Sequence, residues 1–162
     1  MLSEEERKHV AKVMKGLTIS DWIIKDAETE EVLYDDRSFF RDYLFKRKDP
    51  MDQKARKIVI PRQTLECRAI AINVTVYSEE SVQDLNSVSR LYLDGKFVEK
   101  WSFSMGFVIP GSTNTWEAFI VKSDAGYLDP ETLSGHLLVD SVVRDGDLPL
   151  LRSNLKIYIS KD

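Results

Sequence analysis

The sequence predicts an all-β protein, an antiparallel sandwich or barrel with one short helix at its N-terminus. Three observations carry that expectation. From Leu65 onward nearly every segment alternates apolar and polar residues with a period of two. Turn chemistry separates those segments, most plainly at Asp94-Gly95 and Asp145-Gly146-Asp147. Helical spacing of apolar residues, by contrast, is found ahead of the first strand and ends at Leu17.

The elements follow in order. Ser3 and Glu6 stand at capping-box spacing, and Val10, Val13, Met14 and Leu17 share one helical face. Gly16 marks the end of this helix, so residues 3–16 form a short amphipathic helix that must lie on something larger. The next stretch, DWIIKDAETEEVLY, reads as a strand, a turn around Ala27 to Glu31 and a second strand, hence a hairpin. Residues 35–57 form a long charged connection holding Phe39, Phe40, Tyr43, Leu44 and Phe45 and interrupted by Pro50. A connection of that length is either functional or mobile. Its aromatics are expected to pack on the sandwich from a surface loop, with a lid or partner-binding role as the alternative.

Four further segments complete the strand set. CRAIAINVTVY places Ile70, Ile72, Val74 and Val76 on one face. SRLYLDGKFVEKWSFSM holds two strands joined at Asp94-Gly95. HLLVDSVVRDGDLPLL aligns Val139, Ser141 and Val143, and SNLKIYIS aligns Leu155, Ile157 and Ile159. There is no internal repeat.

Composition narrows the function classes. A length of 162 residues predicts a single domain, residues 1–162, able to bury a core without disulfides. A net charge of −4 gives no basic face for nucleic acid. Cys67 is the single cysteine, which excludes an intramolecular disulfide and a zinc framework. The charged start MLSEEERKHVAK is not a secretory signal, and no stretch nears the roughly 20 apolar residues of a membrane span. A soluble intracellular protein without stable membrane insertion is expected.

No catalytic constellation emerges. His9, on the exposed side of the helix, and His136, near a strand start, stand outside metal-ligand spacing. Cys67, in an alternating strand, reads as a small core residue. Asp145 and Asp147 fall short of a calcium loop and read as a hairpin turn. No phosphate-binding loop, dinucleotide fingerprint or nucleophile elbow is present. No enzyme, catalytic residue, metal or cofactor is therefore expected. Ser89 and Ser141 sit among apolar strand neighbours. Either they line strand ends and face water, or two sheets enclose an apolar cavity whose few hydroxyls orient a ligand.

One stretch is far more specific. GFVIPGSTNTW, Gly106 to Trp116, sets a polar corner between two apolar strands. It resembles the signature of the GMP phosphodiesterase delta-subunit family of prenyl-binding proteins, which is related to the UNC-119 lipid-binding chaperones. The similarity extends over roughly residues 14–159. It includes LTISDWIIKDAETEEVLY with its Lys25–Thr29 core, IPRQTLECRA with Pro61 and Cys67, LDGKFVEKWSFSMGF, LSGHLLVDSVVRDGDLPLL and LKIYI.

The resemblance implies an immunoglobulin-like β-sandwich with a deep hydrophobic pocket between its sheets. That pocket would hold the farnesyl or geranylgeranyl group of prenylated small GTPases and other prenylated proteins. Carried across position by position, its lining would be Trp22, Ile24, Tyr34, Cys67, Ile70, Ile72, Val74, Ser89, Leu91, Trp101, Ile120, Leu128, Val139, Ser141, Val143, Leu155, Ile157 and Ile159. Arf-like GTPases would act as release factors by extending the sheet along Thr113, Asn114, Thr115, Trp116, Glu117, Ala118, Phe119, Ile120 and Val121. The resemblance further implies a monomeric cytoplasmic carrier, with a ciliary or flagellar setting.

Three departures bear on cargo. Ile72 stands where the family commonly has an arginine, Ser89 where it has a glutamine, and Ile159 where it has a tyrosine. These changes predict a greasier pocket with fewer hydrogen-bond donors. The basic run Lys46-Arg47-Lys48 lies in a connection longer than the family's. Two alternatives stand beside the prenyl carrier: a myristoyl-binding carrier of the UNC-119 type, and a ligand-free sandwich adaptor.

Overall fold

Ser3 caps the N-terminal helix reciprocally. Its hydroxyl accepts the Glu6 N–H at 3.1 Å, and the Glu6 carboxylate accepts the Ser3 N–H at 2.9 Å. In the computed structural model, which describes residues 1–36, 47–122 and 129–161, this helix (α1) runs Glu4–Gly16. Val10, Val13 and Met14 pack into the larger core cluster with Leu17, which begins the first strand. The opposite face is not simply solvated. His9 lies within hydrogen-bond distance of Asp145, which is 9% exposed and also accepts the Asp84 N–H at 3.0 Å.

Nine strands build the rest of the described chain: β1 (Leu17–Asp26), β2 (Val32–Asp35), β3 (Arg56–Ile60), β4 (Ala69–Ser78), β5 (Val82–Leu93), β6 (Lys96–Val108), β7 (Thr113–Val121), β8 (Leu137–Asp145) and β9 (Leu148–Ile159). A 3-10 turn spans Arg62–Glu66, and a one-turn helix, α2, spans Pro130–Leu133. The strands form two sheets ordered β2-β1-β4-β7 and β3-β9-β8-β5-β6. This is the all-β sandwich that the period-two text predicted.

Local chemistry explains the hairpins. Asp94 and Gly95 both adopt positive φ, 49° and 82°, as a two-residue turn with the right twist requires. The β1–β2 turn is closed by the Glu30 N–H donating to the Asp26 carbonyl at 2.8 Å. At the Pro110 corner the chain leaves one sheet for the other. There the Gly111 N–H donates to the Ser78 carbonyl at 2.8 Å, and the Ser112 hydroxyl donates to the Ile109 carbonyl at 2.8 Å. The polar corner is thus satisfied by its own side chains and backbone.

Two elements differ from the sequence reading. β3 runs parallel to β9, pairing Arg56 with Leu155 and Ile60 with Ile159, so the sandwich is not wholly antiparallel. Its partner lies almost a hundred residues away in sequence, and alternation says nothing about partners at that range. Cys67 precedes β4 rather than sitting in it, because the turn over Arg62–Glu66 delays the strand to Ala69. Of the long connection, Phe39, Phe40, Tyr43, Leu44, Phe45 and Lys46 lie outside the described residues.

Two buried clusters form between the sheets. The larger gathers Val13, Leu17, Ile19, Val76, Val82, Leu85, Val108, Leu150 and Leu151 beside α1, together with Ile58, Leu155 and Ile157. The smaller holds Ile24, Cys67, Ile70 and Ile120. Trp22 and Tyr34 touch both, their rings meeting edge to face at 5.5 Å.

Candidate functional site

The sheets enclose a cavity of about 330 Å³, toward the small end of ligand pockets, which run from about 300 Å³ upward. Its two walls differ. The four-stranded sheet contributes Ile19 and Trp22 from β1, Ile72, Val74 and Val76 from β4, and Trp116 through Ala118 from β7. Apart from Glu117 these are apolar. The five-stranded sheet contributes Leu85, Val139, Val143, Leu151 and Leu155, but among them stand Ser87, Ser89, Ser141 and Ser153. Trp101 through Met105 of β6 complete the lining.

Register explains the hydroxyls. Ser89 pairs with Ser141 across β5 and β8, and Ser141 pairs with Ser153 across β8 and β9. Cross-strand partners point to the same side, so the three hydroxyls form one row along the wall. Ser89 and Ser141 oxygens lie 2.6 Å apart, while Ser89 is 8% and Ser153 7% exposed. Trp101 stands opposite Ser89 on β6, and its indole N–H has no hydrogen-bond acceptor among the described residues. The serines therefore lie mid-strand, Ser89 and Ser153 buried and Ser141 half-buried, rather than at wet strand ends.

The residues carried over by resemblance separate into groups. Trp22, Ile72, Val74, Ser89, Trp101, Val139, Ser141, Val143 and Leu155 line the cavity. Ile24, Cys67, Ile70 and Ile120 instead fill the smaller cluster. Ile157 belongs to the larger cluster, with Tyr34 and Ile159 packed against it, and Leu91 is buried without lining the cavity. These residues share strands or faces with the lining but sit beyond one end of it, and periodicity fixes a face, not a depth. Leu128 lies outside the described residues. Ser87, Ser153, Leu85 and Leu151 were missed, although Ser87 and Ser153 fall two residues from Ser89 and Leu155 and so share their faces.

Two ionisable groups beside the cavity are held neutral. Burial, reinforced by the Asp26 carboxylate, pushes the Cys67 thiol up to about 11. Burial and then Asp36 push the Tyr34 phenol up to about 12, and the Tyr34 hydroxyl donates to Asp36 at 3.1 Å. Among the described residues no cluster of three or more His, Cys, Asp or Glu side chains is placed to hold a metal ion. No helix among them is long and apolar enough to cross a membrane.

Among the described residues β7 occupies one border of the four-stranded sheet, paired there with β4 on one side only. It spans Thr113–Val121, with Phe119 and Val121 exposed on its outer face. Trp116 and Ala118 belong to both descriptions, since they also line the cavity.

An apolar cavity marked by a few hydroxyls between two sheets has the character of a small-molecule binding site. Residues 11–147 match the family described as GMP-PDE, delta subunit, and the chain belongs to that family. It is a family of lipid-binding carrier proteins rather than catalysts.

Proposed function

We propose that this protein is a prenyl-binding solubilising carrier. It takes the farnesyl or geranylgeranyl group of a C-terminally lipidated protein, including prenylated small GTPases, into the inter-sheet cavity. The single observation that carries this reading is an apolar cavity between the sheets of a chain belonging to this family. Each buried CH₂ is worth about 0.8 kcal/mol, so an isoprenoid gains on the order of 10 kcal/mol before immobilisation costs. One prenyl chain anchors only marginally to a bilayer, so a cavity of similar apolarity competes for it.

Release follows from coupling. A GTP-bound Arf-like GTPase adds a strand along β7, whose Trp116 and Ala118 also border the cavity. A partner that shifts β7 toward β6 narrows the cavity, and coupling of this kind is typically worth about 1–3 kcal/mol. The carrier works as a monomer in the cytoplasm, including its ciliary or flagellar compartment, and needs no cofactor.

The test is a fluorescence titration with peptides bearing a farnesylated, carboxymethylated C-terminus, a myristoylated N-terminus or no lipid. Saturable binding of the farnesyl peptide alone supports the proposal. Binding of the myristoyl peptide alone moves the protein to the UNC-119 type. If no lipidated peptide binds, the cavity is not a lipid site and the protein acts as an adaptor through its edge strand.

A further inference from the structure

We propose that the hydroxyl row recognises a carbonyl oxygen at the head of the bound lipid, so that this cavity selects oxygen-bearing lipid heads over bare hydrocarbon. The inference rests on the carrier reading above and deepens it. Ser89, Ser141 and Ser153 lie in one cross-strand row. The neighbouring row on one side presents Val139 and Leu155, and the neighbouring row on the other presents Val143 and Leu151 with Ser87 at its β5 end, all lining the cavity. The hydroxyls therefore interrupt the apolar wall partway along it.

Proton counting decides what they want. In the Ser89–Ser141 pair one hydroxyl donates to the other, which leaves one O–H free to donate. The Ser153 hydroxyl, in the same row, makes no side-chain hydrogen bond among the described residues, and there the Trp101 indole N–H beside Ser89 has no acceptor. Three donors at the row are therefore in surplus over their partners among the described residues: one O–H of the Ser89–Ser141 pair, the Ser153 O–H and the Trp101 indole N–H. A hydrocarbon filling the cavity would leave these groups dry and unpartnered, which is costly. A carbonyl oxygen supplies two lone pairs and no donor, and fits that surplus. Two lipid heads carry one: the methyl ester of a prenylated C-terminal cysteine, and the amide of an N-acylated glycine.

All three tryptophans, Trp22, Trp101 and Trp116, line the cavity, so intrinsic fluorescence reports its occupancy. The full-length protein is titrated with N-acetyl-S-farnesylcysteine methyl ester against farnesyl ethyl thioether, which has no oxygen. In parallel, N-myristoylglycine methylamide is compared with pentadecane. The wild type is expected to bind at least one carbonyl probe about tenfold more tightly than its oxygen-free counterpart. The double variant Ser141→Ala/Ser153→Ala is expected to lose that preference while binding the oxygen-free probe equally well or better. Ser89→Ala, which deletes a single hydroxyl, provides a milder second variant, and circular dichroism melts establish that each is folded.

Loss of preference for the ester identifies a prenylcysteine head, and loss for the amide identifies an acylglycine head. Equal affinity for both members of each pair in the wild type overturns the hydroxyl-row assignment and leaves the carrier reading standing. So does a variant that weakens both members alike. Absence of binding by all four probes overturns the carrier reading and this inference with it.

Discussion

His9 Nε2 and Asp145 Oδ2 lie 2.8 Å apart, joining α1 to the turn between β8 and β9 across 136 positions of sequence. The same carboxylate holds the start of β5 through the Asp84 N–H at 3.0 Å. One buried acid therefore ties three elements together at the end of the sandwich where α1 packs.

Removing that acid should cost more than removing its imidazole partner. Asp145→Ala removes a carboxylate only 9% exposed that accepts both the Asp84 N–H and a bond from His9, and the loss of these charge-assisted bonds should destabilise the protein by about 1–3 kcal/mol. His9→Ala removes a partner that is 43% exposed and should cost under about 1 kcal/mol. Urea unfolding of the two variants, compared at constant m, checks the order. Equal losses would show that the carboxylate acts only through His9.

Filling the cavity should separate binding from folding. Val143→Phe projects a ring among Ser87, Leu151 and Trp22-side lining residues and should weaken farnesyl-peptide binding at least tenfold. The overpacking cost is about 1–3 kcal/mol, some of it recovered because the site is empty space rather than packed core. A variant that retains wild-type affinity and stability would mean that the chain of the ligand does not pass Val143.

Ile120 should behave in the opposite way. It fills the smaller cluster with Ile24, Cys67 and Ile70 rather than the cavity. Ile120→Ala should therefore cost about 2–5 kcal/mol in stability. At temperatures where the variant is folded, its affinity for a lipidated peptide should fall by less than about threefold. Thermal unfolding and titration on the same sample distinguish the two effects.

Cys67 should resist alkylation. With the thiol pushed up to about 11 and 5% of the residue exposed, its maleimide reaction at pH 8 should run on the order of 100-fold slower than that of a free thiol. The same shift carries a pH dependence. The unfolded thiol ionises near about 8.5, so its contribution is fully present below that pH. It is lost as pH rises from there through about 11, because only the unfolded chain gives up the proton over that window. Cys67→Ser should flatten the alkaline limb of stability against pH.

Where the sequence was legible, short-range rules were enough. Alternation put Ile72 and Val74 on one face of β4, and Val139, Ser141 and Val143 on one face of β8, and all five line the cavity. Asp94-Gly95 and the Ser3–Glu6 box fixed a hairpin and a helix start from a few residues each. What stayed hidden was long-range. Whether Ile70 or Ile72 borders empty space depends on which strands lie across the sandwich. The parallel partnership of β3 with β9 has no local signature, and His9 meets an acid that its own helix cannot reveal. The period-two face showed where apolar residues turn inward, but not how far along a strand the packing stops.

The position of β9 shapes how the chain reaches this state. β9, the last of the described strands, lies inside its sheet, between β3 and β8. Any nascent or truncated chain ending before Leu148 would present β3 without the strand it pairs with among the described residues, and β8 without β9. Such open borders invite pairing between molecules. Closing these borders therefore waits on β9, and chains cut before Leu148 should aggregate rather than fold to a smaller domain.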